Sequence, residues 1–293
     1  MHGGSTGRRC SWPVAAAVGC LIATGLAFAQ QADEQAPGKA SPAATEPERF
    51  NRFFSNLSPD EPLYLALGWR DGINAKLQLS FKYRFVNPEG RLTEGKPFFS
   101  RVYFGYTQTS LWDLGGPSAP FYDTSYRPSL FYRHERFAGW GEGRGWLWAQ
   151  VGVEHESNGQ GGDESRSLNT VYIQPVVEID RAIGSAHLSI EPRLWAYIGD
   201  LSENPDIAEY RGYGQLRMAV TGLAEWQVAA TGRVGTSGKA SIQVDVTYPM
   251  DRILLRTLDA YLYAQYFDGW SESLRSYDQR LPWQLRIGIA VVR

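Results

Sequence analysis

From about residue 62 onward the chain alternates. Leu77, Leu79, Phe81, Tyr83 and Phe85 stand on one side of a run whose other side carries Gln78, Ser80, Lys82 and Arg84. Ile242, Val244, Val246 and Tyr248 oppose Ser241, Gln243, Asp245 and Thr247, and Leu285, Ile287, Ile289 and Val291 oppose Gln284, Arg286 and Gly288. A period of two is what a strand with one apolar and one polar face produces. Weaker runs of the same kind lie near 63–69, 100–108, 126–134, 186–198, 211–220, 223–232 and 257–266. Two more, 146–157 and one starting at Asn169, bring the strand count to about twelve. No amphipathic helix is expected anywhere, and no window after the N-terminus is apolar for long enough to be a membrane helix.

Alternation of this kind suits either a soluble sandwich or a membrane barrel, and three features favour the barrel. The strands run to about ten residues, the length that crosses a bilayer at a tilt. The polar faces carry charges of both signs, as a hydrated lumen would. Trp69, Trp112, Trp140, Trp195, Trp226, Trp270 and Trp283 sit near strand ends, where aromatic girdles form. The expected fold is therefore all-β, a twelve-stranded antiparallel transmembrane β-barrel, and an even strand number agrees with bacterial outer-membrane barrels.

The N-terminus adds an address. Arg8 and Arg9 precede an apolar stretch from Val14 to Phe28, and Ala27-Phe28-Ala29 offers cleavage before Gln30, so residues 1–29 read as a secretory signal. Residues 30–60, opening with a stretch rich in Ala, Pro, Gln and Glu, read as a flexible periplasmic leader, and residues 61–293 as the barrel domain. Both cysteines, Cys10 and Cys20, fall in the signal, which removes thiol chemistry and disulfides from the mature chain. The net charge of −2 becomes more negative once the two signal arginines are gone, which argues against a nucleic-acid partner.

Candidate chemistry concentrates on the run Trp146–Gly159. Leu147, Ala149, Val151 and Val153 share a face with His155 and Ser157, because residues two apart on a strand point the same way. Asn169 similarly continues the stripe of Val171, Ile173, Val177 and Ile179. If the two runs pair through the 158–168 loop, a hydroxyl nucleophile, a base and an orienting amide converge at one rim, facing lipid. With both termini periplasmic, strand parity puts the connections 109–125 and 156–168 at the extracellular end. Polar side chains on a lipid face are costly, so three together call for a function. An isolated His-x-Ser pair is usually accidental; its union with Asn169 is what raises it. His134 and His187 read as girdle or lumen residues, Gly141–Gly145 as a periplasmic turn, and the Gly-x-Ser-x-Gly of Gly3–Gly7 is set aside because it lies in the signal.

Several segments, in order and spacing, resemble the outer-membrane phospholipase A family. They are Tyr106-Thr107-Gln108, Pro120–Tyr126, Arg136–Trp140, His155-Glu156-Ser157-Asn158-Gly159, Ser165–Asn169 and Asn204-Pro205-Asp206-Ile207. The resemblance runs from about residue 60 to the C-terminus. It implies a barrel that hydrolyses sn-1 and sn-2 acyl esters of membrane glycerophospholipids, depends on Ca²⁺ and is active as a homodimer in the bacterial outer membrane, with its site at the extracellular leaflet. The matching positions make Ser157 the nucleophile, His155 the base and Asn169 the orienter. They make the Gln160 carbonyl, the Ser165 hydroxyl and Ser118 of the partner subunit the calcium ligands, and put Gln108 in the dimer interface. Two positions depart from the pattern and one acidic position keeps it. Gly162 replaces an acidic residue of the calcium loop, with Asp163 the nearest carboxylate; Glu203 stands where a second acidic residue is expected; and the chain ends on Arg293 instead of an aromatic residue. The competing readings are a passive outer-membrane barrel and a lipid A deacylase.

The chemistry is coherent on its own terms. A serine hydroxyl needs an adjacent base near neutral pH, and the base needs one fixed tautomer. Being neutral, Asn169 stabilises an imidazolium less than an aspartate would, so electrostatic help must come from elsewhere. The loop Asn158–Ser165, rich in glycine, carbonyls, hydroxyls and carboxylates, suits a hard cation that supplies it.

Overall fold

Alternating sequence becomes alternating exposure. A computed structural model describes residues 46–70, 72–252 and 259–293; the signal and most of the leader lie outside the described residues. A two-residue stub β1 (Leu57–Ser58) pairs with the end of β3 and leads into twelve barrel strands. These are β2 (Leu63–Gly68), β3 (Asn74–Arg84), β4 (Val102–Asp113), β5 (Phe121–Trp140), β6 (Gly145–Ser157), β7 (Ser167–Ile183), β8 (Ala186–Ile198), β9 (Gly214–Thr221), β10 (Gln227–Val234), β11 (Ala240–Pro249), β12 (Tyr261–Trp270) and β13 (Arg280–Val292). Each pairs antiparallel with the next, and β13 pairs antiparallel with β2 through Leu65↔Ile289 and Leu67↔Ile287. The sheet thus closes on itself and leaves no free edge. At this seam Gly288 lies so close to the β2 backbone that a Cβ would meet the Leu65 carbonyl at 1.9 Å, so only glycine fits.

The apolar face looks outward. Leu65, Leu67, Leu77, Leu79, Val151, Val153, Ile173, Ile287 and Ile289 are exposed, whereas Lys76, Ser80, Gln150, Gln265 and Arg286 are buried. This reverses a soluble sandwich, whose apolar face is its core, and supports the barrel expectation. The lumen is cross-braced by ion pairs: Arg127–Glu61 at 2.6 Å, Arg133–Asp60 at 3.1 Å, Arg193–Glu154 at 3.0 Å, Arg211–Glu156 at 2.8 Å, Arg217–Glu191 at 2.6 Å, and Glu272 held by both Lys76 and Arg286. Asp60 and Glu61 precede β2, so the last residue of the leader and the first of the barrel domain supply part of this bracing. A lumen cavity of about 480 Å³ remains among these groups.

Some expectations are corrected. Residues Glu46–Asn56 form a helix, α1, where no amphipathic helix is expected. Phe50, Phe53 and Phe54 recur at helical spacing, and Phe53 packs on Tyr83 with ring centroids 5.2 Å apart. The run read at 223–232 begins at Gln227, because Gly222–Trp226 closes a turn through Gly222 N–H to the Trp226 carbonyl. The run read at 257–266 is shifted to Tyr261–Trp270. β5 is far longer than 126–134 and absorbs an irregularity between His134 and Ala138.

Parity sorts the connections. Segments 114–120, 158–166, 199–213 and 271–279 share one rim, here the upper rim; 85–101, 141–144 and 184–185 share the lower one. Between residues 199 and 213 the chain forms one short helix, α2 (Ile207–Arg211).

Candidate active site at the upper rim

The register of two strands assembles the site. β6 and β7 pair Val153↔Val171, His155↔Asn169 and Ser157↔Ser167, the loop between them being 158–166. Cross-strand partners share a face, so His155, Ser157 and Asn169 stand together on the outward surface above exposed Val151, Val153, Val171 and Ile173. The structure brings the candidate base and the candidate orienter into contact: His155 Nδ1 lies 2.9 Å from Asn169 Oδ1. With an amide oxygen as acceptor, Nδ1 carries the proton and Nε2 is left as the basic nitrogen. Ser157 lies two residues along the same face and makes no side-chain hydrogen bond among the described residues. A shallow outward groove of about 530 Å³ runs beside this pair, lined by Phe104, Pro128, Leu130, Val153 and Ile198 as well as His155 and Asn169.

The intervening residues point inward. Glu156 accepts from Ser125 Oγ at 2.8 Å and from Arg211 Nη1 at 2.8 Å, and is buried. Glu154 pairs with Arg193. Both faces of the strand end are therefore fastened: the outer by His155–Asn169, the inner by carboxylate–guanidinium bonds. Sequence pattern does not disclose these inward partners. Alternation gives the direction of Glu156 but not Arg211, which comes from α2 more than fifty residues away.

The following loop is organised by Asn158, a residue only 1% exposed. Its Nδ2 donates to the Glu164 carbonyl at 2.8 Å, and its Oδ1 accepts from the Arg166 and Gln160 N–H groups at 3.0 and 3.2 Å. Gly159 has φ +65, and a Cβ there would meet the Tyr126 ring at 2.9 Å, so the turn requires glycine. Asn158 is legible in the sequence only as part of the His-x-Ser-Asn-Gly pattern; its stapling role is not.

The candidate calcium donors divide into two groups. Ser165 Oγ donates to Glu203 Oε1 at 2.7 Å, and Ser167 Oγ donates to Glu203 Oε2 at 2.7 Å. These hydroxyls, Ser165 first, hold the Glu203 carboxyl below the usual range. The Gln160 carbonyl accepts no hydrogen bond among the described residues. Gln160, Ser165 and Glu203 thus offer a carbonyl, a hydroxyl and a carboxylate, all oxygen donors of the kind calcium takes. In chemical kind the donors fit, and Glu203 carries a charge that Gly162 does not. Asp163 is exposed and contributes its backbone carbonyl to Arg166. Ser118 belongs to the other group. It is exposed at φ +66 on a turn held by Asp113 Oδ1, which accepts from Gly115 and Gly116, and no hydrogen bond among the described residues joins it to 158–166.

The remaining candidates fall outside this constellation. Gln108 forms an outward polar ladder, accepting from the Tyr106 hydroxyl at 3.0 Å and donating to Ser110 at 3.3 Å. His187 is bracketed at the lower rim by Asp180 and Glu178, both at 2.7 Å, and His134 packs on Phe137. No cluster of three or more His, Cys, Asp or Glu side chains suited to a metal is present among the described residues.

Comparison with known proteins places this geometry. The family described as phospholipase A1 matches residues 52–292. A phospholipase A1 from Salmonella typhimurium is 33% identical over 193 residues, which cover 64% of this chain and 60% of that protein. The matched stretch therefore spans less than two thirds of that relative. A phospholipase A1 from Proteus vulgaris is 31% identical over 229 residues, covering 76% of this chain and 72% of that protein. Among solved structures, a Salmonella typhi outer membrane phospholipase dimer with bound calcium is 26% identical. It superposes with a TM-score of 0.65 over 81% of this chain and 92% of that one. With a closed twelve-stranded barrel and a family match over nearly all of its described length, the chain belongs to the phospholipase A1 family.

Proposed function

We propose that this protein is a calcium-dependent outer-membrane phospholipase A that hydrolyses acyl esters of glycerophospholipids with Ser157, His155 and Asn169. The observation that carries the reading is the 2.9 Å contact between His155 Nδ1 and Asn169 Oδ1 on the lipid-facing surface, with Ser157 two residues along the same face. Asn169 holds the proton on Nδ1. Nε2 then takes the Ser157 proton as Oγ attacks the ester carbonyl, and returns it to the leaving glycerol oxygen. A water molecule, activated by the same nitrogen, releases the fatty acid from the acyl-serine. The groove lined by Phe104, Pro128, Leu130, Val153 and Ile198 accepts the acyl chain laterally from the bilayer.

Bound calcium, held by the Gln160 carbonyl, the Ser165 hydroxyl and Glu203, would supply positive charge near the developing oxyanion. Because the neutral Asn169 stabilises the imidazolium less than an aspartate would, stabilisation of the oxyanion has to carry more of the rate enhancement. The Salmonella typhi protein was crystallised as a dimer with calcium, and the active unit proposed here is likewise a homodimer in which Ser118 of the partner subunit completes the ligand set. The ion pairs crossing the lumen weigh against the passive-pore reading. Hydrolysis of lipid A in place of phospholipid has no specific observation in its favour.

The test is direct. Protein refolded in detergent is expected to release fatty acid from phosphatidylethanolamine when calcium is added, and to stop when it is chelated. Release that is indifferent to calcium removes the metal from the reading; no release from a folded, heat-modifiable barrel overturns it. Sharing between subunits is tested by mixing Ser157→Ala protein with protein lacking 116–120. Neither homodimer should act, while the mixed dimer should recover part of the activity.

A further inference from the structure

The connection 271–279 is built as a strap across the upper rim. It is not a solvated hairpin tip. Leu274 and Ser276 are fully buried and Tyr277 nearly so. Leu274 and Tyr277 pack in one cluster with Leu168 and Ile207, and Leu168 is the residue directly before Asn169. The Tyr277 hydroxyl bonds Asp206, which lies three residues beyond Glu203. The strap is thereby fixed to two segments that frame the candidate site.

At its centre, Arg275 reaches in two directions. Its backbone N–H donates to Asp123 Oδ2 at 2.9 Å, its Nη1 donates to the Tyr122 carbonyl at 2.9 Å, and its guanidinium lies 5.2 Å from the centre of the Tyr122 ring. These contacts hold the start of β5, into which the 114–120 loop runs. Its Nη2 pairs with Glu164, inside the 158–166 loop. A guanidinium is suited to such double duty because its planar fork presents several donors at fixed angles, which a lysine ammonium cannot reproduce.

We propose that Arg275 is a positioning residue for the hydrolytic site. It ties the loop that carries Gln160 and Ser165 to the loop that carries Ser118, so that each protomer's own half-site and the loop it offers to a neighbour move as one body. The calcium part of this rests on the function proposed above; the tethering of the two loops does not. Arg275 touches neither substrate nor metal in this scheme.

Two readouts separate positioning from general damage. In calcium titrations of lipolysis, Arg275→Met should raise the calcium needed for half-activation about fivefold, within the range that exposed and half-exposed ion pairs deliver. Turnover at saturating calcium should fall little. Arg275→Lys should restore only part of the shift. Amide exchange, measured on the folded protein in detergent without calcium, should quicken in 114–120 and 158–166 together for Arg275→Met, and in 158–166 alone for Glu164→Gln. The exposed Glu164 substitution also guards against a variant that simply fails to fold. Unchanged exchange in both loops overturns the proposal. If the unsubstituted enzyme ignores calcium, the function reading fails in that respect, and exchange alone still decides the tether.

Discussion

Residues 154–157 place four polar side chains in a row, and the two faces of the strand use them differently. Inward, Glu154 and Glu156 meet Arg193 and Arg211, and both carboxylates are spent on structure. Outward, among the described residues, His155 meets only a neutral amide and Ser157 has no side-chain partner. A buried charge must be paired to be tolerated, so the inner pairs are complete. A catalytic group must keep one atom unengaged, and the outer set is open at His155 Nε2 and Ser157 Oγ, as the proposed mechanism requires. Polarity on this strand therefore means bracing on one face and, in the proposed mechanism, reactivity on the other. The difference lies in whether hydrogen-bonding capacity is used up.

Substitutions that sort by face would break or sharpen this contrast. The largest effect is expected on the outer face: Ser157→Ala or His155→Ala should lower turnover by about 10⁴-fold or more while the barrel stays heat-modifiable on gels. Full activity in Ser157→Ala would remove the mechanism. On the inner face, Glu156→Ala strands Arg211 and should cost about 3 kcal/mol of stability, read by urea unfolding in detergent, with turnover per folded molecule largely kept. A variant that unfolds normally but is inactive would show that the inner face takes part in the chemistry. Asn169→Ala should lower turnover by about 10²-fold, less than loss of the nucleophile, because it orients and does not react. The smallest effect should come from Glu203→Gln, which keeps hydrogen-bonding atoms beside Ser165 and Ser167 but removes the charge. The calcium needed for half-activation should rise by about tenfold, equivalent to about 1.4 kcal/mol, and an unchanged titration would exclude Glu203 from the metal.

The same contrast separates what a sequence discloses from what it withholds. A period of two needs only local sterics, so the strands, their outward faces and the pairing of His155 with Asn169 are legible in the order of the residues alone. Boundaries are less so. Trp226 continues the rhythm of Val228 and Ala230 back into a turn that is set by a backbone hydrogen bond, not by pattern. Helix α1 escapes the pattern because three phenylalanines in a polar leader give a short stripe that only packing on Tyr83 makes plain. The tie between Ser165 and Glu203, the reach of Arg211 to Glu156 and the strap around Leu274 all join residues far apart in the chain. Nothing local marks such partners; closure of the barrel brings them together.

The outward placement of His155 and Asn169 has a kinetic consequence. If the proposed function holds, a site in the barrel wall meets its substrate by diffusion within the plane of the membrane, so the relevant quantity is how much of the surrounding surface is phospholipid. In mixed micelles the rate should follow the mole fraction of phospholipid in the micelle. Adding more micelles of the same composition should change little once all the protein is incorporated. Inert detergent added at fixed total lipid should slow the reaction by dilution in two dimensions, whereas a site opening into the lumen would respond to the concentration in solution.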